Sequence, residues 1–244
     1  MHWEELGRLP ALGKDEVHVW RASLDIAPES IRRALTVLSA NERRRADRFR
    51  FSVHGDRFIA ARAVLRGLLG HYLELPPSAV PLSAGPTGRP VLPSGLRDGG
   101  VEFNLTHSGD RTVIAVARGR AVGVDLERMR RGVAHERLAD RFFTPSEADA
   151  LRDVPPAVRP IAFFACWTRK EAFLKATGTG LQHGLPHALR GFAVTVSPFE
   201  PPEIRQFSGG ARRWSLIDLD VGAGYAGALA IEGNARMRLF EWVR

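Results

Sequence analysis

Cys166-Trp167-Thr168-Arg169-Lys170-Glu171-Ala172-Phe173-Leu174-Lys175 is the stretch from which the fold can be worked out. Phe163, Phe164, Trp167, Phe173 and Leu174 recur near helical spacing, and nothing from Ile161 to Ala176 breaks a helix, so one helix is expected there. Glu171 and Lys175 lie four residues apart and share a face. By spacing alone they form a surface ion pair worth roughly a few tenths of a kcal/mol. Ala61-Arg62-Ala63-Val64-Leu65-Arg66, in a helix expected from about Gly55 to Leu73, has the same shape. Ala46-Asp47-Arg48-Phe49 recurs letter for letter as Ala139-Asp140-Arg141-Phe142, and the strand Arg111–Ala117 resembles Gly224–Ala230. Each half runs strand, helices, strands, which points to duplication. Two such halves facing each other leave a cleft, a common place for a ligand.

Outward from this repeat, His18–Leu24 alternates as a strand, and Pro28-Glu29-Ser30 opens a helix to about Val37. Ser39 with Glu42 forms a capping box before a densely basic helix carrying Arg43, Arg44, Arg45, Arg48 and Arg50. Pro76–Gly100 reads as loops with short strands at Val80–Leu82 and Pro90–Leu92. Strands are expected at Val101–Thr106, Thr112–Ala117 and Ala121–Leu126, then a basic linker Arg128–Gly132 and a short helix Leu138–Phe143. Thr144-Pro145 caps the next helix, and Gly178 and Gly180 close the one that follows it. Phe192–Val196, Arg213–Leu219 and Tyr225–Glu232 read as strands of one antiparallel sheet.

At 244 residues the chain can build a core without disulfide or metal staples. Its single cysteine, Cys166, sits in an apolar helical run as a reduced packing thiol, which fits a cytoplasmic protein. The acidic start Met1-His2-Trp3-Glu4-Glu5 has no signal-peptide pattern, and no apolar run is long enough to span a bilayer. The net charge of +8, mostly arginine, calls for an anionic partner: nucleic acid, an acidic protein or phosphates.

The chemistry concentrates in Val122-Gly123-Val124-Asp125-Leu126-Glu127. Asp125 and Glu127, two apart on a strand or its end, share a face. Side by side they repel unless a cation lies between them, and hard oxygens of this kind suit Mg²⁺, which keeps waters and takes phosphates as further ligands. The alternative is a solvated strand end with Glu127 paired to Arg128 or Arg130. Glu171 is a candidate third ligand or general base, and Lys175 a phosphate contact or proton donor. Phe103-Asn104-Leu105-Thr106-His107-Ser108-Gly109 places hydroxyls and an imidazole at a strand-to-turn transition, and Gly88-Arg89-Pro90 offers a guanidinium on a rigid turn. Lys175-Ala-Thr-Gly178-Thr-Gly180 is no P-loop, because its lysine precedes the glycines. His183 and His187 are a poor zinc pair with Gly184 and Pro186 between them. Neither a Gly-x-Ser-x-Gly elbow nor a dinucleotide fingerprint is present.

Taken jointly, Gly88–Pro90, Phe103–Gly109, Val122–Glu127, Arg141-Phe142-Phe143 with Glu147, and Trp167–Lys175 resemble the 4′-phosphopantetheinyl transferases of the monomeric, surfactin-synthetase-activating type. The resemblance implies a pseudo-twofold pair of α+β halves, 1–119 and 120–244, each with a mainly antiparallel sheet on helices and the active site between them. It implies transfer of phosphopantetheine from coenzyme A to a serine of an apo acyl, peptidyl or aryl carrier protein. Asp125, Glu127 and Glu171 would hold Mg²⁺ (or Mn²⁺), Glu171 would also take the serine proton, and Lys175 would assist the leaving group. His107, Thr106, Arg89 and Arg57, with Arg45, would bind coenzyme A. Arg89 and Thr106 stand where the family commonly has lysine and serine, and Glu42 falls where a close relative's pattern has a basic residue. An acidic carrier would suit the basic surface, with Arg128, Arg130 and Arg131 as contacts. A nonenzymatic nucleic-acid-binding protein is the competing reading of the basic helices, though no nucleic-acid module is recognisable. A coenzyme A binder that has lost transfer is a third.

Overall fold

The computed structural model describes residues 1–5, 9–85, 88–97, 100–130, 132–179, 185–205 and 213–243. The expectations placed on Arg131, Gly180 and His183 lie outside the described residues. The first half contains β1 (Glu4–Glu5), β2 (Glu16–Ser23), α1 (Pro28–Val37), α2 (Ala40–Ala46), α3 (Ser52–Leu73), a 3-10 turn (Pro77–Ala79), β3 (Ser83–Ala84), β4 (Pro90–Val91), α4 (Ser94–Arg97), β5 (Val101–Ser108) and β6 (Arg111–Arg118). The second contains β7 (Val122–Arg128), α5 (His135–Phe142), α6 (Pro145–Asp153), α7 (Arg159–Thr177), α8 (Leu185–Arg190), β8 (Ala193–Val194), β9 (Ile204–Arg205), β10 (Trp214–Asp218), β11 (Tyr225–Glu232) and β12 (Arg236–Glu241).

The chain is an α+β fold of two similar halves. In the first sheet β2, β6 and β5 lie side by side; in the second β7, β11 and β10 do, and every one of these pairings is antiparallel. The matching segments 111–117 and 224–230 fall in the two central strands, β6 and β11. The tetrapeptide match does not fall at equivalent places: Ala46–Phe49 ends the capped helix α2, whereas Ala139–Phe142 ends α5, before the capped helix α6. A different repetition is structural. In each half the glutamate of a capping box also pairs with a base on the next long helix, Glu42 with Arg66 at 2.7 Å and Glu147 with Lys170 at 2.7 Å.

The first sheet is completed by the end of the chain. β12 runs parallel to β2, and β1 parallel to β12, giving the order β1-β12-β2-β6-β5. The segment Phe192–Val196 does not join the second sheet. Three of its backbone groups are claimed by side chains: the Phe192 carbonyl by Lys170, the Val194 amide by Glu147 and the Thr195 carbonyl by Arg169. β8 pairs only with β9, in a separate ribbon. Val80–Leu82 likewise forms no strand, since Arg66 takes the carbonyls of Pro77 and Val80, and the ribbon there is β3 with β4.

Three apolar clusters fill the space between layers. Trp20, Ile114 and Val116 pack on Leu65, Leu68 and Leu69 of α3. Phe163, Phe173 and Ala172 of α7 pack on Ala228 and Ala230. Val19, Val113 and Ala115 of the first sheet meet Val124, Leu126 and Leu229 of the second, so the inner faces of the two sheets form one core. Among the described residues no helix is long and apolar enough to cross a membrane.

Candidate active site

Alternation along β7 decides what faces what. Val122, Val124 and Leu126 enter the core between the sheets, so Gly123, Asp125 and Glu127 turn the other way, towards α7. At Gly123 strand and helix nearly touch. A Cβ there would overlap the Ala172 carbonyl oxygen and the Ala176 amide nitrogen, and would stand 3.0 Å from the Ala176 Cα. Ala172 and Ala176 are small at the same contact. This close approach lays the neighbouring helix positions, Glu171 and Lys175, against the carboxylates of β7.

Lys175 does not pair with Glu171, as spacing alone would have it. Its Nζ donates to Asp125 Oδ1 at 2.5 Å, to the Val124 carbonyl at 3.1 Å and to Thr106 Oγ1 at 3.2 Å. Asp125 is 4 % exposed, and its second oxygen, Oδ2, is buried with no hydrogen-bond partner. Glu171 has no hydrogen bond or ion pair among the described residues. Burial raises its pKa, Asp125 and Glu127 add to the rise, and Lys175 and Arg89 oppose it. Glu127 is raised by burial and by Asp125, against the hydrogen bond that Ser108 Oγ donates to it at 3.0 Å and the charges of Lys175 and Arg130.

The first half supplies the other wall. On β5, Asn104, Thr106 and Ser108 share a face, and each one bonds to β7. Asn104 Oδ1 accepts from the Val124 amide at 3.1 Å, Thr106 Oγ1 donates to Asp125 at 3.3 Å, and Ser108 Oγ both donates to Glu127 and accepts from the Arg128 amide at 3.0 Å. Thr106 is therefore buried beneath the carboxylates and does not line the cleft, whereas His107 and Ser108, nearer the end of the strand, do. The His107 ring is open to the cleft yet ringed by protein, and desolvation followed by the cations Lys175, Arg62 and Arg45 pulls its pKa down. The turn after it is tied to the second half by Tyr225, whose hydroxyl donates to Asp110 at 2.5 Å.

A cleft of about 750 Å³ opens here, bounded by Phe49, His54 and Arg57 from the first half, by His107, Ser108 and Gly109, and by Glu127, Arg128, Met129 and Arg130. Arg57 is held there by a two-pronged bond to Asp25, at 2.7 and 3.0 Å. Arg45 is exposed and donates to the Gly88 carbonyl at 3.3 Å, beside the turn that carries Arg89. Arg89 lies close enough to Glu171 to oppose the rise of its pKa. The candidate residues from both halves thus converge, except that Thr106 serves from below.

Among the described residues no group of three or more His, Cys, Asp or Glu side chains is arranged to hold a metal ion. Mg²⁺ does not need one, since it commonly takes one or two carboxylates and fills its shell with water and phosphate oxygens. The unsatisfied Asp125 Oδ2 beside Glu127 and Glu171 fits such a half-open site.

Two charged residues of α7 point elsewhere. Arg169 is buried against Asp218, at 2.8 and 2.5 Å, and Lys170 against Glu147. They fasten α7 to the rest of its half on the side away from Glu171. Neither the Asn104 amide nor the Gly123 contact was singled out from the sequence, and Ser108 was marked only as a turn hydroxyl. The period-two face of β5 was a signal for Asn104 and Ser108, and a glycine between apolar β-branched residues was a signal for Gly123.

The sequence profile described as the 4′-phosphopantetheinyl transferase superfamily matches residues 121–230, and one described as the 4′-phosphopantetheinyl transferase N-terminal region matches residues 20–119. A 4′-phosphopantetheinyl transferase of a Nostoc species, HetI, is 37 % identical, over 90 % of this chain and 89 % of its own. The Sfp 4′-phosphopantetheinyl transferase of Bacillus subtilis is 28 % identical, over 64 % of this chain and 67 % of its own. A solved holo-(acyl-carrier-protein) synthase of Bacillus anthracis, in complex with CoA (3′,5′-ADP), aligns with 47 % of this chain and 96 % of its own, at 16 % identity and a TM-score of 0.39. By the extent of the match in both halves, the chain belongs to the 4′-phosphopantetheinyl transferase family of enzymes.

Proposed function

We propose that this protein moves the 4′-phosphopantetheine group of coenzyme A to a serine hydroxyl of an apo acyl, peptidyl or aryl carrier protein. The observation that carries the reading is the Glu171 carboxylate. It is partnerless, its pKa is raised, and it lies beside Asp125, Glu127 and Lys175 where the two halves meet. A raised pKa makes it a better proton acceptor near neutrality. The serine oxygen attacks the phosphorus that bears the pantetheine and gives its proton to Glu171, directly or through water. The bond from that phosphorus to the bridging oxygen breaks, and adenosine 3′,5′-bisphosphate leaves with the bonding electrons. Lys175 offsets the charge growing on the departing phosphate. His107, Arg89, Arg57 and Arg45 hold the remaining negative charge of coenzyme A, and Thr106 keeps Asp125 and Lys175 in place. Asp125, Glu127 and Glu171 would hold Mg²⁺, with Mn²⁺ as substitute; when bound it neutralises the pyrophosphate as a Lewis acid.

Both halves of one chain build this one site, which supports assignment to the monomeric, surfactin-synthetase-activating branch. Arg128 and Arg130 at the cleft mouth are placed to meet an acidic carrier. Incubated with coenzyme A, Mg²⁺ and an apo carrier, the protein should make the carrier heavier by one phosphopantetheine, read by intact-protein mass spectrometry. Glu171→Gln should lower the rate by about 10²–10⁴-fold. No mass shift across acyl, peptidyl and aryl carriers refutes the activity, and a fully active Glu171→Gln removes Glu171 from the mechanism.

A further inference from the structure

Gly109 and Asp110 form the turn between β5 and β6, where Ser108 faces Arg111. Gly109 has φ +61, and a Cβ on it would lie 2.5 Å from the Tyr225 hydroxyl oxygen and 3.0 Å from the Arg128 Cδ. This turn of the first half is thus pressed onto the rung of the second half in which Tyr225 pairs with Arg128. Asp110 stands near two arginines, and among the described residues it bonds to neither. Arg57 donates to Asp25, at 2.7 and 3.0 Å, and Arg111 donates to the Val221 carbonyl. The Asp110 carboxylate accepts instead from the Tyr225 hydroxyl at 2.5 Å, and the Asp110 amide donates back to that hydroxyl at 3.4 Å. The Tyr225 hydrogen bond, more than the charges of Arg111 and Arg57, holds the Asp110 pKa below its ordinary value. A hydroxyl donating to a carboxylate makes a bond roughly twice as strong as a neutral one.

This bond crosses from one half to the other at the base of the cleft, which Gly109 lines from the first half and Arg128 from the second. The same turn holds the loop that carries Asp25. The Asp110 carbonyl accepts from the Leu24 amide at 2.7 Å, and Asp25 is the next residue, the one that clamps Arg57. A second tether runs on the carboxylate side of the turn, from Ser108 to Glu127 and to the Arg128 amide. Loss of the Tyr225 bond therefore leaves Asp125, Glu171 and Lys175 in place. What it frees is the outer side of the turn, with Arg57 behind it. We propose that Tyr225 is a positioning residue for coenzyme A: through Asp110 it fixes the distance at which Arg57 and His107 stand from the second half, without touching the ligand. This rests on the transferase reading.

Tyr225→Phe keeps the ring, over which Arg111 stacks at 4.7 Å, and removes only the hydroxyl. It should raise KM for coenzyme A about tenfold and leave kcat within about threefold, the pattern of weakened binding rather than lost chemistry. The Kd of adenosine 3′,5′-bisphosphate, measured by calorimetry on the whole protein, should rise by a similar factor. Asp110→Ala breaks the same bond from the other side and should match it, and the double variant should be no worse than either single one. Asp110→Asn still offers an oxygen to the hydroxyl and should recover most of the loss. An Asp110→Asn as weak as Asp110→Ala overturns the proposal, since the carboxylate charge and not the tether would then matter. A fall in kcat with KM unchanged, the mark of a smaller active fraction, also overturns it. Carrier modification with Tyr225→Phe binding the bisphosphate as the wild type does sinks this proposal alone. Binding that weakens in Tyr225→Phe and recovers in Asp110→Asn, without modification of any carrier, upholds the tether and sinks the transferase reading. A wild type that binds no bisphosphate overturns both.

Discussion

Replacing Gly123 by alanine adds one methyl group at the closest approach of β7 to α7. That methyl would overlap the Ala172 carbonyl oxygen and the Ala176 amide nitrogen and lie 3.0 Å from the Ala176 Cα, where ordinary contact needs 3.4–4 Å. All three atoms are backbone, so no rotamer change relieves the overlap, and α7 has to retreat by roughly 1 Å because the interior is close-packed. Overpacking of this kind costs about 1–3 kcal/mol. For a chain of this size that lowers Tm by roughly 2–4 °C per kcal/mol. The effect on turnover is larger, since the helix that moves carries Glu171 and Lys175, and a 1 Å misplacement of reacting groups costs about 10²-fold. Thermal melts together with initial rates of carrier modification should therefore show a folded, modestly destabilised enzyme with kcat/KM down by about two orders of magnitude. Trimming Ala172 to glycine in the same chain should not rescue it, because the clash is with main-chain atoms. A Gly123→Ala variant with wild-type rate and Tm would refute the claim that this contact sets the geometry of the site.

Lys170→Met leaves the buried Glu147 carboxylate without its cation. The loss should be about 3–5 kcal/mol in urea denaturation, with the folded fraction still within a few-fold of wild-type turnover because Lys170 faces away from Glu171; an unchanged unfolding midpoint would refute it. His107 gives a pH prediction. Its pKa lies below the ordinary 6.5, so at pH 7 the free imidazole is neutral. Phosphates arriving beside it, among Lys175, Arg62 and Arg45, raise that pKa, so binding of coenzyme A takes up a proton and tightens as pH falls from about 8 towards the free value. Calorimetry in buffers of different ionisation enthalpy should show this uptake, and His107→Gln should abolish it; equal uptake in the variant would place the proton elsewhere.

Much of this arrangement was readable residue by residue. Pro28 at a helix start, the capping box at Ser39, the Thr144–Pro145 cap, and the alternation through β5, β6 and β7 located these elements, although the helix after Ser39 ends at Ala46 and leaves Arg48 and Arg50 beyond it. The carboxylates of β7 and α7 were legible as residue types at the right spacing. Partner choice was not. Lys175 is four residues from Glu171, but its Nζ goes to Asp125, fifty positions away, because the Gly123 contact lays one element on the other. Local spacing is blind to such a contact. Phe192–Val196 has every mark of a sheet strand, and three of its backbone groups are nevertheless taken by Lys170, Glu147 and Arg169. β12 was missed although Met237 and Leu239 alternate with arginines, since its partner lies at the opposite end of the chain.

That last pairing has a consequence for synthesis. β2 emerges from the ribosome early, carrying one sheet edge satisfied by β6 and another that waits for Arg236–Glu241. β1 waits with it, since its partner in the sheet is β12. An open edge of Val17, Val19 and Trp20 is therefore exposed throughout translation of the second half, whose own three-stranded sheet closes with β11 before β12 is made. The half that is translated first is the one completed last, and the slow, long-range closure of its sheet is the step at which a nascent chain is most open to pairing with a neighbour.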